Sequence, residues 1–326
     1  MNNLTVLGDT HLGKRFITGV PLHRRGDREA MVWEQFQDSL INCATALHVQ
    51  TGDLFDQFAV PEALLLAVAN TYREAAAKND NTIYVLYRGN HDASRDTDKA
   101  SSFDVLHDLL EDVQNVHVLR EVSSFVAHGK VYGFIPWHPF KSAEELAVEL
   151  VAYGHQYVAV FGHFEVDSFG GHDFNLVPTK TLSAVTKLIY TGHIHTPTEF
   201  ERDGVRVVVV GSMQPYSHGE DPENHWYETV AFDDLTKALS NGVGWVDLNL
   251  RVIIRPGEVV PEIDCLSLIT KPYTEKLMDD DEPDNMEVNF AEFNMHTLFV
   301  GCLNHSGVRL PIAEKILAKY EELKNV

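Results

Sequence analysis

The chain has 326 residues, 44% of them hydrophobic, which is enough for a sizeable core and excludes general disorder. Its 26 Lys and Arg against 48 Asp and Glu leave a formal net charge of −22, which argues against a protein that coats nucleic acid by broad phosphate neutralisation. No apolar run reaches the roughly 18–20 residues of a membrane span, the start Met1-Asn2-Asn3-Leu4 lacks a secretory profile, and Cys43, Cys265 and Cys302 form no Cys-x-x-Cys pair, so a cytoplasmic protein with buried thiols and no membrane partner is expected.

In chain order, Leu4-Thr5-Val6-Leu7 reads as a strand, and Asp27 to Leu47 as a helix with Met31, Phe36, Leu40, Ile41, Ala44 and Leu47 near one face. His48-Val49-Gln50-Thr51 is a second strand. Pro61 to Lys78 fits a helix with proline at its first turn, and Thr82 to Tyr87 is rich in β-forming residues. Phe125 to Ile135 turns at His128-Gly129, and Asp203-Gly204 leads into Val205 to Val210, so both stretches predict hairpins. Tyr157 to Phe161 and Leu188 to Tyr190 are further strands. After Arg255-Pro256-Gly257 the alternation fades, the acidic run Asp279 to Glu282 predicts a loop, and Pro311 to Lys324 a last helix. The expected division is a main domain over 1–255 and a small C-terminal capping or partner-binding domain over 256–326.

Gly8-Asp9, Gly52-Asp53, Gly89-Asn90, Gly162-His163 and Gly192-His193 each follow an apolar strand. Ligands of open α/β sheets bind beyond the carboxyl ends of the strands, so these turns predict one shared site. At a strand end, the two-residue repeat would put Asp9 and His11 on one side, and His193 and His195 likewise. Asp53 offers two oxygens to bridge two cations, Asn90 a neutral oxygen and His163 a ring nitrogen. Mixed O and N donors without thiolate suit Mn²⁺, Fe or Zn²⁺ better than the all-oxygen sites of Ca²⁺ and Mg²⁺. Two such ions roughly 3.5–4 Å apart clamp the attacking and leaving oxygens of an in-line phosphoryl displacement. The positive stretch of Lys14, Arg15, His23, Arg24, Arg25 and Arg28 reads equally as a guide for a polyanion and as a solvated loop and helix start.

Gly8-Asp9-Thr10-His11, Gly52-Asp53-Leu54-Phe55-Asp56, Gly89-Asn90-His91-Asp92, Gly162-His163 and Gly192-His193-Ile194-His195 together resemble the calcineurin-like metallophosphoesterase signature. The resemblance implies an α/β fold, a four-layer α/β/β/α sandwich. It implies two divalent ions, Mn²⁺ first, with Mg²⁺, Fe or Zn²⁺ as alternatives. One ion would be held by Asp9, His11, Asp53 and His195, and the other by Asp53, Asn90, His163 and His193. His91 would face the leaving oxygen, and the Asp56 carboxylate would be its partner, orienting the imidazole and raising its pKa. Asp92 reads as a capping residue. His138 reads as packing in a rigid turn, and His172 and His218 as residues near the cleft.

Within that superfamily the chain looks like the SbcD-type nuclease subunit, in a short form similar to bacteriophage members. Leu12-Gly13-Lys14 follows the first motif, no Asp-Arg-Gly follows the second, the third ends in Asp92, and Gly211-Ser212 precedes Ser217 and Glu220. That likeness implies 3′-to-5′ exonuclease action on duplex DNA, endonuclease action on single strands, an SbcC-type ATPase partner and a homodimer through the nuclease domain. Lys14, Arg15 and Arg88 are the candidate DNA contacts, with a structural ion pair as the other reading of Arg88. The alternatives are a small-molecule phosphodiesterase or phosphoprotein phosphatase of the same superfamily, and a non-catalytic scaffold, which would be free to lose ligands that this sequence keeps.

Overall fold

The computed structural model describes residues 4–94, 99–167, 174–221 and 223–273. The chain divides into a compact unit over Met1–Tyr273 and a second over Thr274–Val326. The acidic run, the expected last helix and Cys302 lie outside the described residues.

The first layer is helical. In α1 (Asp27–Ile41) the residues Arg28, Val32, Phe36 and Leu40, spaced by four, face inward. In α2 (Glu62–Lys78) the buried row is Leu65, Val68, Ala69, Tyr72, Ala75 and Ala76, with Pro61 at the N-cap. A short α3 (Ser102–Leu110) starts on a capping box of Ser101 and Asp104. These helices pack on a parallel sheet of β1 (Leu4–Leu7), β2 (Leu47–Gln50), β3 (Ile83–Tyr87) and β4 (Val116–Leu119), in that order.

A second sheet packs on the first. It contains β5 (Ser123–Ala127), β6 (Lys130–Ile135), β7 (Ala159–His163), β8 (Leu188–Gly192), β9 (Thr198–Arg202) and β10 (Val205–Val209), ordered β5-β6-β7-β8-β10-β9. Leu47, Val49, Val85 and Tyr87 of the first sheet meet Tyr132, Phe134, Ala159 and Phe161 of the second in a dry layer. Both expected hairpins form, with positive φ at His128 (50°), Gly129 (76°), Asp203 (54°) and Gly204 (70°), the signature of a tight turn matched to strand twist. The far face is covered by α4 (Ala143–Ala152), begun by a second capping box of Ser142 and Glu145, and by α5 (Thr179–Leu182). The result is the α/β/β/α sandwich.

The third sheet departs from the expected division. β11 (Tyr227–Ala231), β12 (Trp245–Ile254) and β13 (Cys265–Pro272) pair in parallel, with α6 (Phe232–Ser240) against them. The compact unit therefore runs past the boundary read at 255, because Leu250↔Leu268 and Val252↔Thr270 tie β13 to β12. Cys265 is buried in this small core, whereas Cys43 is only half-buried. Among the described residues no helix is long and apolar enough to cross a membrane.

Candidate metal centre

β1, β2 and β3 are parallel neighbours and end at the same edge, as do β7 and β8 of the facing sheet. The turns that follow are stitched together: Thr10 and His11 donate N–H to Asp53 O (3.1 and 3.0 Å), and Leu12 N–H to Leu54 O (2.8 Å). β1 ends at Leu7 and β8 at Gly192, so strand alternation is not what orients the Asp9/His11 and His193/His195 pairs. His11 (φ 44°), Asp53 (φ 47°) and His193 (φ 79°) lie in the left-handed region, unusual for residues with a side chain. Such backbone costs of order 1–3 kcal/mol per residue and persists where the surroundings over-determine it, typically at functional sites.

The seven expected donors come together in two sets. In the first, His11 Nε2 faces His195 Nε2 at 3.0 Å, with Asp9 Oδ2 3.8 Å from His195 Nε2 and Asp53 Oδ2 3.9 Å from His11 Nε2. In the second, Asn90 Oδ1 is 2.9 Å from His163 Nε2 and 2.8 Å from His193 Nδ1, and Asp53 Oδ2 is 3.4 Å from His163 Nε2. One oxygen of Asp53 thus faces both sets. Its other oxygen, Oδ1, accepts the His91 N–H at 2.8 Å.

These separations fit ions as well as the donor types do. Two ligands each about 2.1 Å from a metal and at right angles stand ~3 Å apart. Backbone groups set the free ring nitrogens: His163 Nδ1 is 2.9 Å from Thr51 O, and a carbonyl only accepts, so Nδ1 carries the proton and Nε2 is left for a cation.

The electrostatics divide the donors. Burial, with Asp53 adding to it, pushes Asp9 up to about 8, although His163 and His195 pull against it. Burial also works against ionised Asp53, but the facing His163 prevails and holds that carboxyl below its usual range. Burial lowers His163, yet Asp53 more than compensates and raises it to about 9. Burial drives His11 down to about 3 and His193 to about 4, leaving both neutral, the form that ligates metal. Two buried carboxylates strained against each other are relieved by a divalent cation between them.

His91 is exposed at the edge of the cluster, its ring 4.8 Å from that of His11. Its Nδ1 lies 2.7 Å from the main-chain carbonyl of Asp56, so Nδ1 is the protonated nitrogen and Nε2 is the free one. The Asp56 carboxylate is not its partner: that group pairs with Lys14 Nζ (3.1 Å) and stands 3.5 Å from His11 Nδ1. Asp92 does not cap a following segment. It is fully buried, and its two oxygens take the N–H groups of Leu54 (3.1 Å), Phe55 (2.9 Å) and Gly89 (2.9 Å), locking the second turn to the third.

The basic stretch is largely occupied by the chain itself. Arg28 is buried over the rings of Trp226 and Phe16 and donates to Gln214 and to Pro215 O (2.9 Å). Arg24 binds Asp27 (3.0 Å), Asp264 (3.5 Å) and Asp247 (3.6 Å). Arg88 donates to Trp137 O (3.1 Å), a structural tie, and makes no ion pair among the described residues. Arg15, His23 and Arg25 are exposed, and Lys14 and Arg15 line a cavity of about 290 Å³ with His218 and Arg251. His138 accepts the N–H groups of Phe140 and Lys141, as its packing role requires, and His172 lies outside the described residues.

Glu220 has a role that its sequence position does not announce. Its Oε2 is 3.2 Å from His195 Nδ1 and also takes the Tyr216 N–H at 2.8 Å. A carboxylate behind a ligating imidazole fixes its tautomer and raises its basicity. Tyr216 in turn donates its hydroxyl to Thr10 O and packs edge-on against His11 and His195.

Residues 3–197 match the family model of the calcineurin-like phosphoesterases. No curated protein matches the chain. Among solved structures the chain is similar to TT1561 of Thermus thermophilus, at 12% identity and a TM-score of 0.43, over 64% of this chain and 89% of that one. It is also similar to the phosphopantetheinyl hydrolase PptH from Mycobacterium tuberculosis, at 14% identity and a TM-score of 0.41, over 66% and 94%. The matched segment carries every one of the facing donors from Asp9 to His195, and the chain belongs to the calcineurin-like phosphoesterases, metal-dependent hydrolases of phosphoesters.

Proposed function

We propose that this chain is an SbcD-type DNA nuclease subunit that uses two divalent ions, Mn²⁺ first among them, and works as a homodimer with an SbcC-type ATPase. The observation that carries the hydrolytic reading is Asp53, whose Oδ2 faces both donor sets while Oδ1 holds the His91 backbone. Bound ions would activate water as nucleophile and neutralise the transferring phosphoryl group. Asp53, Asp9, Asn90 and the four imidazoles position that chemistry. Water adds to phosphorus and gives up a proton to solvent, the bond to the leaving nucleotide oxygen breaks, and His91 in its imidazolium form, with Nδ1–H on the Asp56 carbonyl, would pass the proton on Nε2 to that oxygen. The cavity lined by Lys14, Arg15, His218 and Arg251 supports a polyanionic substrate.

A second reading, a phosphodiesterase or phosphatase for small substrates, is favoured by the engagement of Arg24 and Arg28 in the chain's own contacts, which shortens the basic track open to a polyanion. The test incubates the purified chain with end-labelled duplex and single-stranded DNA, with and without Mn²⁺, beside His91→Ala and Arg15→Glu/Arg251→Glu. A nuclease gives Mn²⁺-dependent fragments that both variants reduce. Hydrolysis of an aryl phosphodiester without any DNA cleavage selects the second reading, and an unimpaired His91→Ala sinks the role of that residue.

A further inference from the structure

The cavity of about 290 Å³ lies among the segment 14–20, the loop at Tyr216 and the third sheet. Lys14, Arg15, His218 and Arg251 line it, and no carboxylate is among its lining residues, although the chain has a net charge of −22. Elsewhere Arg24, Arg73, Arg202, Arg206 and Arg255 each reach a carboxylate. Arg15 and Arg251 make no hydrogen bond or ion pair among the described residues. Lys14 is neutralised by Asp56 at 3.1 Å. Burial, and after it the Arg251 charge, lowers His218 to about 4, so that ring is uncharged near neutral pH. What remains uncompensated is one charge on Arg15 and one on Arg251, which a dianion matches and a monoanion does not.

A phosphomonoester carries about −1.5 to −2 at pH 7, whereas each phosphodiester of a strand carries a single charge. The walls favour the monoester as well. Leu268 donates its N–H to Gly19 O at 2.9 Å, and a Cβ at Gly19 would stand 2.3 Å from Leu268 O. The neighbours of that contact, Thr18, Val20, Ser267 and Ile269, line the cavity, so the segment and β13 close it along that side. A strand that runs on needs a way in and a way out; a terminal phosphate needs only a way in. Tyr216 lines the cavity too, its ring centroid 5.3 Å from that of His11 and 5.7 Å from that of His195, so a single side chain stands between cavity and metal centre. We infer that this cavity is an end-recognition subsite: a free phosphomonoester of the substrate docks on Arg15 and Arg251 while a phosphodiester of the same molecule is cut at the metal centre. The inference rests on phosphoester hydrolysis at that centre and deepens it, because it names molecules with a phosphorylated end as preferred over the same molecules ending in a hydroxyl.

The test is calorimetric titration of the full chain, loaded with Mn²⁺ and carrying His91→Ala to suppress turnover, at mildly alkaline pH, where a phosphomonoester is a dianion. The ligands are thymidine 5′-(p-nitrophenyl phosphate) with a hydroxyl, a phosphate or a methyl phosphate on the 3′ carbon, and a second set with the 3′ and 5′ groups exchanged. Within a set the base, the sugar and the diester for the metal centre are constant. In one of the sets the phosphate is expected to bind about tenfold more tightly than the hydroxyl, the worth of charge-assisted hydrogen bonding, and the methyl phosphate, a monoanion, to fall well short of it. Arg15→Gln and Arg251→Gln should each reduce the preference for phosphate over methyl phosphate, and the two together should abolish it. Equal affinity for those two ligands in both sets, or a preference that survives the double substitution, overturns the subsite. Hydrolysis of bis(p-nitrophenyl) phosphate by the wild-type chain, with and without Mn²⁺, is read separately: its absence would overturn the reading of the centre, and end recognition would still be decided by the titration.

Discussion

His195 is held from both sides: Nδ1 lies 3.2 Å from the Glu220 carboxylate, and Nε2 faces His11 Nε2 at 3.0 Å. Two imidazole nitrogens at that distance cannot both carry protons, and Glu220 decides the matter by claiming the proton of Nδ1. Glu220→Gln should therefore weaken divalent metal binding about 10- to 100-fold, the usual effect of removing a carboxylate behind a ligating histidine. Equilibrium dialysis against Mn²⁺ measures it directly. Wild-type affinity in the variant would show that the contact is incidental.

His91 and Asp56 make opposite predictions despite their adjacency. The imidazole is steered by the Asp56 carbonyl, which every side chain at that position retains, whereas the carboxylate serves Lys14 and His11. His91→Ala should lower turnover by roughly 10²- to 10⁴-fold with metal content unchanged, as loss of a general acid does. Asp56→Asn should cost far less turnover. Steady-state kinetics on an aryl phosphodiester, with metal analysis of each variant, separate the two; comparable losses would return the acid's partner to the Asp56 side chain.

What was legible in the sequence follows from how local each signal is. The five glycine-led turns could be read because a ligand type directly after an apolar run needs no knowledge of distant residues, and all seven donors meet. α3 and α4 were not anticipated, although the capping boxes Ser101/Asp104 and Ser142/Glu145 at their starts are equally local signals. The third sheet was missed although Asp247 to Val252 alternate polar and apolar as a half-buried strand does; burial of Asn249 beside Leu250 departs from that alternation, and β13 follows a stretch with no periodic signal. Glu220 belongs to an irregular loop far in sequence from His195, and charge along a line could not reveal that Arg24 folds back onto Asp247 and Asp264. Nor does any pattern encode the left-handed backbone at His11, Asp53 and His193 that the close-packed turns impose.

The bond between the second and third turns is tested at Asp92. One Asp92 oxygen serves both Leu54 and Gly89, the other serves Phe55, and an amide nitrogen in place of either oxygen would meet an N–H donor. Asp92→Asn should cost about 2–4 kcal/mol, because it leaves a buried donor unpaired and an N–H against an N–H. Gly89→Ala approaches the same junction from the other side, as its Cβ would stand 2.2 Å from Asp53 N and Oδ1. Both variants should lose hydrolysis together with stability in urea titrations. A stable Gly89→Ala with full activity would contradict this close packing of the two turns.

His48 supplies a pH test remote from the metal ligands. It is fully buried on β2, its ring 5.5 Å from that of Tyr84, and neither ring nitrogen has a hydrogen-bond partner among the described residues. Burial lowers its pKa from 6.5 to about 4. Above pH 6.5 the ring is neutral in both folded and unfolded chains and contributes no pH dependence. As the pH falls from 6.5 toward 4 the unfolded chain takes up a proton that the folded chain refuses, so stability declines, by on the order of 3 kcal/mol at the end of that window. His48→Leu keeps the apolar contacts and removes the proton acceptor. The difference in unfolding free energy between wild type and variant should therefore move in favour of the variant as the pH drops through that window, since the carboxylates and metal ligands titrate alike in both. Parallel stability curves for the two proteins from pH 7.5 to 4 would mean that His48 is not the buried base inferred from its surroundings.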